Sequence, residues 1–361
     1  MVQTYIIFFE QIVSNCIFAP RMNKETIQTI TKLLESPKRI AIVGHKNPDG
    51  DAIGASLGLY YFLKERGHNT QVVMPNDFPA FLKWLPGCDN IKTYDKDTQE
   101  VRETIQKVEI IFTMDFNALD RTGDLTEMLD EVTADFIMID HHQQPDDYAV
   151  ATYSDTTMSS TSQMVFHFIE AMNGVSEISP EIATNLYAGI MTDTGSFRFA
   201  ATTATTHHVI AKLMECGANN SEIHQNVYDT NSPDKLKLLG VALRNLEILH
   251  EYRTAYISIS QEELDDNHFR KGDTEGFVNF ALSVKGIVFA AIFIENKQEG
   301  LTKISLRSKG NFSVNDFARD HFNGGGHINA AGGRSDKSLE LTITDFISIL
   351  PNYKNALINA S

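Results

Sequence analysis

Cysteine is scarce in this chain, with only Cys16, Cys88 and Cys216 among 361 residues. An odd, scattered set builds neither a disulfide framework nor a zinc cluster, and it fits a reducing cytoplasm. Basic residues are in deficit, 31 Lys and Arg against 47 Asp and Glu, for a formal charge of −16. That balance excludes a protein that grips long duplex through a broad basic face. It leaves room for a small anion held at one local site, especially beside metal ions. Residues 5–20 (YIIFFEQIVSNCIFAP) are too short to span a bilayer. They are broken by Glu10, Gln11, Ser14 and Asn15, and no basic residue precedes them. No membrane partner is expected, and residues 1–21 read as an N-terminal extension to a working protein that begins near Met22. Internal repeats and low-complexity segments are missing too.

What is present is an ordinary globular composition, 42% apolar and 22% charged. Residues 24–36 have helical spacing and lead into RIAIV, an apolar β-branched strand. A helix (IGASLGLYYFLKERG), a strand (TQVVMP), and two more strands, VEIIFTMD (108–115) and ADFIMID (134–140), follow. Near-continuous apolar strands alternating with helices predict an α/β fold with a parallel sheet. Helices are expected over STSQMVFHFIEAMNG, over EIATNLYAGIMTDTG, and over 202–217. Residues 218–250 read as a helical, strand-free linker. From 251 to 361 the strands YRTAYISIS, GIVFAAIFIE and LTKISLRS and two helices predict a smaller α/β domain. Residues 22–217 would form the larger one.

The chemistry concentrates at segment ends. GHKNPDGDAIGAS (44–56) packs His45, Asp49 and Asp51 into seven residues. VEIIFTMD ends at Asp115, and ADFIMID runs into Asp140, His141 and His142. Asp193 closes an apolar segment in the same manner. A lone Asp at such a place is ordinarily a turn or N-cap residue. Open parallel sheets, however, bind ligands at the carboxyl ends of their strands, so four such clusters should converge on one crevice. So many carboxylates would repel one another unless cations sat among them. Mixed imidazole and carboxylate donors suit Mn²⁺, with Mg²⁺, Co²⁺ or Fe²⁺ as alternatives. The donors are too many for one ion and about right for two, the arrangement that clamps both oxygens of a transferring phosphoryl group. His207 and His208 have no acidic companions and read as structural.

These motifs resemble the DHH phosphoesterases: H-x-x-x-D-x-D at His45, Asp49 and Asp51, a lone Asp115, the triplet Asp140-His141-His142, and T-D-T-G at Asp193. FNGGGHINAAGG (322–333) resembles the glycine-rich signature of the DHH-associated domain. Order and spacing resemble most the stand-alone oligoribonuclease and 3′-phosphoadenosine 5′-phosphate (PAP) phosphatase group, over residues 22 to about 351. The resemblance implies that His45 and Asp49 hold one ion, that Asp51, His141 and Asp193 hold the other, and that Asp115 bridges them. It implies an orienting role for Asp140, a place beside the scissile phosphate for His142, and a phosphate contact for Arg121. In the second domain, Gly324, Gly325, Gly326, Gly332 and Gly333 would offer backbone N–H groups as an anion nest, flanked by His327 and Arg307. A glycine-rich hairpin is the structural alternative.

The implied enzyme is a two-metal phosphodiesterase and phosphomonoesterase, most simply a manganese one, with its active site in the cleft between two domains. Its substrates would be short oligonucleotides, pApA and PAP. Cyclic-di-AMP and polyphosphate or pyrophosphate are the alternative substrates, and a non-catalytic nucleotide-binding module is the alternative class. A homodimer is compatible with the resemblance.

Overall fold

The computed structural model describes residues 22–360, and the N-terminal extension read from the sequence, with Cys16, lies outside them. The chain divides into two units between Thr230 and Asn231.

In the first unit the strands are β1 (Arg39–Gly44), β2 (Asn69–Met74), β3 (Lys92–Thr93), β4 (Ile110–Met114), β5 (Asp135–Asp140) and β6 (Ala151–Ser154). They form one sheet in the order β3-β2-β1-β4-β5-β6, with every pair parallel. The predicted parallel α/β core is therefore observed; β3 and β6, short and half-polar, were not legible in the pattern. The chain reverses its direction of winding between β1 and β4, which opens a crevice at their carboxyl ends.

The helices are α1 (Lys24–Leu33), α2 (Gly50–Glu65), α3 (Thr98–Ile105), α4 (Thr126–Glu131), α5 (Thr161–Ala171), α6 (Pro180–Asp193), α7 (Ala204–Glu215) and α8 (Asn220–Tyr228). Alternate strand residues face opposite layers, as a period of two requires. Ile40, Ile42, Phe112 and Ile137 pack with Leu57 and Phe62 of α2, Phe168 of α5 and Leu186 of α6. Ala41, Val43, Ile111 and Phe136 pack with Val101 and Ile105 of α3 and Leu129 of α4. Both faces are covered, which is why these strands read as unbroken apolar runs.

One contact sets the geometry of the site. Helix α2 carries Gly50, Gly54 and Gly58 at four-residue spacing, along one face. A Cβ at Gly54 would lie 2.5 Å from the Asn185 carbonyl oxygen and 3.0 Å from Gly189 of α6. One at Gly58 would lie 2.5 Å from Leu186, and one at Gly50 would collide with the Thr192 side chain. As the α2 number rises the α6 number falls, so the helices run antiparallel. The start of α2 meets the end of α6, and Asp193 is the last residue of that helix rather than a strand-end residue.

The second unit holds α9 (Pro233–Arg244), β7 (Leu246–Leu249), β8 (Thr254–Ile259), α10 (Gln261–Asp266), α11 (Phe277–Ser283), β9 (Phe289–Asn296), β10 (Leu301–Ser308), α12 (Val314–His321), β11 (Gly325–His327), β12 (Ala330–Ser335) and α13 (Leu339–Asn359). Its sheet runs β11-β12-β10-β9-β8-β7, antiparallel except for β8 with β9. Strand β7 corrects the reading of 218–250 as strand-free: LEIL is apolar, but too short and too isolated to stand out from its helical neighbours. An aromatic cluster, Phe289 with Phe312, Phe317 and Phe346 at centroid distances of 5.0–5.5 Å, fills one side of this sheet. The Arg253 guanidinium donates to the carbonyls of Leu357, Ile358 and Ala360, and so closes the end of α13. Among the described residues no helix is long and apolar enough to cross a membrane.

The glycine stripe makes a test. Gly54→Ala forces a methyl onto backbone atoms that cannot step aside, and overpacking of this kind costs about 1–3 kcal/mol. The midpoint of urea unfolding, followed by the fluorescence of the single tryptophan Trp84 in the first unit, is expected to fall accordingly. Gly240→Ala, in open space on α9, is expected to leave that midpoint in place. An unchanged midpoint for Gly54→Ala would remove the close-approach argument.

Candidate metal centre

The Pro48-Asp49-Gly50 turn ends β1 and starts α2. Asp49 is the N-cap of α2: its Oδ1 accepts from the N–H groups of Asp51 (3.0 Å) and Ala52 (3.1 Å). The cap reading of a strand-end Asp thus holds here, and Oδ2 is not used by it. Asp51, one turn position on, is buried. Its carboxylate takes the N–H of Thr161 (2.6 Å) and of Ser162 (2.8 Å) at the start of α5. Two helix N-termini therefore stabilise two neighbouring carboxylates.

Asp115 follows β4 and is 2% exposed. Its φ of +66° is a left-handed conformation that an L-residue adopts at a cost of about 1–3 kcal/mol. Its two oxygens are divided. Oδ2 lies 3.5 Å from His45 Nε2, while Oδ1 lies 3.4 Å from His141 Nε2 and accepts from the Thr161 hydroxyl at 2.9 Å. His141 Nε2 is also 3.6 Å from Asp193 and 3.9 Å from Asp51. His45 Nε2 is 4.0 Å from Asp49. Two of the donor groups are His45 with Asp49 and Asp115, and Asp51 with His141 and Asp193, and Asp115 also groups with Asp140 and His142, the donor atoms within each lying within 4.8 Å of one another.

The outer contacts fix the imidazoles. Nδ1 of His45 lies 2.9 Å from the Lys46 carbonyl oxygen, and Nδ1 of His141 lies 3.3 Å from that of Met158. Each ring donates outward and turns Nε2 to the carboxylates, as a metal-binding imidazole does. His142 turns Nδ1 to Asp140 Oδ1 at 2.7 Å, and Asp140 Oδ2 is buried without a partner among the described residues. This donor set, imidazole nitrogen with carboxylate oxygen, fits divalent first-row ions.

Without an ion the acids must be neutralised otherwise. Two carboxylates 4–5 Å apart at an effective dielectric near 20 repel by about 3–4 kcal/mol. Burial pushes Asp51 well above the usual carboxylate range, and its neighbours Asp115 and Asp193 push it further. Burial, opposed by His141, raises Asp193 to about 6. Burial disfavours a charged Asp115, but hydrogen bonds from His141 and His45 outweigh it and hold that group well below its usual range. Burial likewise opposes charge on His45, yet Asp115 and Asp49 raise it to about 9; against the same opposition, Asp115 and Asp193 hold His141 well above its ordinary value. Protons on the imidazoles stand where cations would.

All six residues expected to hold metal, with Asp140 and His142, lie in this one cluster. Arg121 sits nearby in the chain trace: its carbonyl accepts from the Lys46 N–H at 2.8 Å, which ties its turn to the β1 loop. The sequence reading missed Thr161 and Ser162; the run Ser159-Ser160-Thr161-Ser162 marked only a helix start. The glycine-rich signature forms a hairpin, not an open nest: β11 pairs with β12, and the Gly326 N–H is taken by Asn315 Oδ1 at 2.8 Å. Three of its glycines answer to packing, because a Cβ at Gly324, Gly326 or Gly333 would strike backbone or Phe322. Gly325 and Gly332, paired across the hairpin, have no such close neighbour. Arg307 and His327 both align with Ala330, from either side of β12, and so share one face of this sheet. His207 and His208 are exposed and outside the cluster.

Comparison with known proteins agrees with this architecture. The family model described as "DHH family, N-terminal domain" matches residues 39–190, and that described as "DHHA1 domain" matches residues 254–353. The bifunctional oligoribonuclease and PAP phosphatase NrnA of Thermus thermophilus is 32% identical, over 85% of this chain and 86% of its own. The protein of the same name from Bacillus subtilis is 28% identical, over 86% and 92%. The crystal structure of an exopolyphosphatase-related protein from Bacteroides fragilis is 39% identical, with a TM-score of 0.91 over 95% of this chain and 100% of that one.

Ion binding here must displace protons. His45 is charged below about 9, and a metal takes only the neutral imidazole, so Mn²⁺ affinity rises with pH up to about 9 and then levels. Below about 6, protonation of Asp193 weakens it further. Titration calorimetry at pH 7 in buffers of different ionisation enthalpy is expected to show about one to two protons released per protein. Affinity that is flat from pH 6.5 to 9 would contradict this charge assignment.

Proposed function

The chain belongs to the DHH family, and on that premise we propose that it is a metal-dependent phosphoester hydrolase of short oligonucleotides such as pApA, and of PAP. One observation carries the reading. The two oxygens of a single buried carboxylate, Asp115, are shared between a histidine-acid group on each side, the arrangement that a bridging ligand between two cations requires. The names of the relatives supply the substrate class, and the phosphoester chemistry follows from the family.

In this reading His45 and Asp49 hold one ion, Asp51, His141 and Asp193 the other, and Asp115 both. Two divalent ions, most simply Mn²⁺, supply Lewis acidity toward the phosphoryl oxygens and activation of water for in-line attack. The protein's own groups do the rest. Thr161 and Ser162 N–H donors hold the Asp51 carboxyl group in place. Asp140 holds the His142 ring so that its far nitrogen is available to the scissile phosphate. Arg121 meets a phosphate oxygen. In the second unit, Arg307 and His327, with Gly325, Gly326 and the unobstructed Gly332, are the residues that contact substrate in this reading. A short ligand suits these local sites, and the excess of acid disfavours a long one.

Purified protein is to be given pApA, PAP, cyclic-di-AMP and a five-residue RNA, with and without Mn²⁺. Initial rates are expected to be largest for pApA and PAP and to vanish in excess chelator. Faster turnover of cyclic-di-AMP than of pApA would overturn the substrate assignment. Asp115→Ala is expected to abolish turnover by raising the barrier several kcal/mol, and the metal-free variant is expected to melt below the parent, because His45 and His141 lose the carboxylate that pairs with them. Near-normal turnover of that variant at saturating Mn²⁺ would sink the two-ion assignment.

His327→Ala and Arg307→Ala address the second unit. Each is expected to lower kcat/KM for pApA by about one to two orders of magnitude, the effect of one charge-assisted hydrogen bond, with Mn²⁺ affinity unchanged. A parallel loss of Mn²⁺ affinity would show that these residues serve the metal centre rather than the substrate.

A further inference from the structure

The segment after Asp193 carries a strain that metal binding does not explain. Gly195, Ser196 and Phe197 have φ of +57°, +60° and +64° in succession. Left-handed runs are rare, and each non-glycine member costs about 1–3 kcal/mol. Asp193 lies before this run, inside a regular helix, so its position does not need it. The run is nonetheless heavily held. Ser196 N–H donates to the Met191 carbonyl (2.8 Å), Phe197 N–H to the Thr194 hydroxyl (3.0 Å), and Arg198 and Phe199 N–H to the Thr194 carbonyl (2.9 and 3.1 Å). The Ser196 hydroxyl meets His224 at 3.1 Å, and the Phe197 ring packs on Tyr187 and His207.

What the run achieves is to fold Arg198 back onto the end of α6. Its Nε donates to the Gly195 carbonyl at 2.7 Å. Gly195 stands two residues after Asp193, a backbone span of at most about 7 Å, so the guanidinium is tethered at the end of α6 that carries that carboxylate. Arg198 is exposed, and its two terminal nitrogens have no partner among the described residues. A guanidinium tethered through Nε, with its fork left open, is prepared for a bidentate oxyanion. Arg121, also exposed and without a side-chain partner, is tied to the opposite, His45 side of the cluster through the Lys46 N–H.

We propose that Arg198 binds a second phosphate of the substrate, the one that is not being cleaved, and that Arg121 and Arg198 flank the metal pair from its two sides. The inference rests on the reading of the chain as a hydrolase of pApA and PAP, both of which carry two phosphates. It makes Arg198 a determinant of preference for doubly phosphorylated substrates.

The test is steady-state kinetics of Arg198→Ala and Arg198→Lys with PAP, pApA and bis-p-nitrophenyl phosphate, and calorimetric Mn²⁺ binding to each. KM for PAP and pApA is expected to rise about tenfold to hundredfold in Arg198→Ala, the worth of one charge-assisted pair, with kcat changed much less. Arg198→Lys is expected to recover part of the loss, since it keeps the charge but not the fork. The ester with a single phosphate is expected to change far less, and Mn²⁺ affinity not at all. Unchanged KM for both nucleotides would overturn the proposal. So would equal losses on all three substrates with weakened Mn²⁺ binding, which would make Arg198 a support for Asp193. If the parent protein hydrolyses neither PAP nor pApA, the functional reading itself fails and this inference goes with it, an outcome distinct from the other two.

Discussion

The close approach of two antiparallel helices, α2 and α6, is the constraint on which the site depends. Gly50, Gly54 and Gly58 bring one backbone against the other. At the end of that contact, Gly189 leaves room for Ser162 and stands beside Asp51, so the start of α5 is drawn into the same corner. Asp51 then meets the α5 N–H groups, and Asp193 comes to rest 3.6 Å from His141. Had the helices been spaced by leucines, as most packed helices are, the second group of donors would have lost Asp193 while the first survived. The sheet places His45, Asp115 and His141, and the helix pair completes the set.

The same corner shows how the fold tolerates so much negative charge. Helix N-terminal donors serve Asp49 and Asp51, and protonated imidazoles serve Asp115 and Asp193. These are temporary and permanent forms of one solution. Backbone N–H groups cannot leave, so the carboxylates they hold remain oriented whether or not an ion is bound. Imidazole protons can leave, and they occupy the ground that cations take. The burial that raises Asp51 and Asp193 is therefore stored unfavourable energy, released when cations enter. In the proposed two-ion reading, the poor empty form of the site favours ion entry as much as the ligands themselves do.

Much of this was legible in the residues. Unbroken apolar strands gave the parallel sheet, and the sheet rule placed β1, β4 and β5 ends together. The features that escaped reading have a common cause, that their signal is not local. Asp193 was read as a ligand at the end of a helix, but how the packing of that helix brings it to the strand ends was not. Thr161 and Ser162 look like any helix start until Asp51, their partner on the neighbouring helix α2, is known. Strands β3, β6 and β7 are short and take their conformation from a neighbour, not from their own propensity. The glycine-rich segment was ambiguous because a hairpin and a nest ask for the same residue. The register decided it, and it separated glycines that packing demands, Gly324, Gly326 and Gly333, from the Gly325 and Gly332 pair that packing does not.

Backbone strain gives a further view of where the fold yields to its site. Among the described residues nine non-glycine positions have positive φ, and five of them, Asn47, Asp115, Gln144, Ser196 and Phe197, lie on the segments that follow β1, β4, β5 and α6. Those are the segments that carry the acids and imidazoles. Asn47 is held by Asn76 at 2.7 Å, Asp115 by the Ile139 carbonyl at 3.1 Å, and Ser196 by Met191 and His224. Each strained turn is over-determined by partners on another element, as such conformations must be to persist. A turn held from outside cannot relax when its ligand departs. The donor positions therefore belong to the scaffold rather than to the ion, and the same rigidity extends past Asp193 to the one turn whose strain serves an arginine instead of an acid.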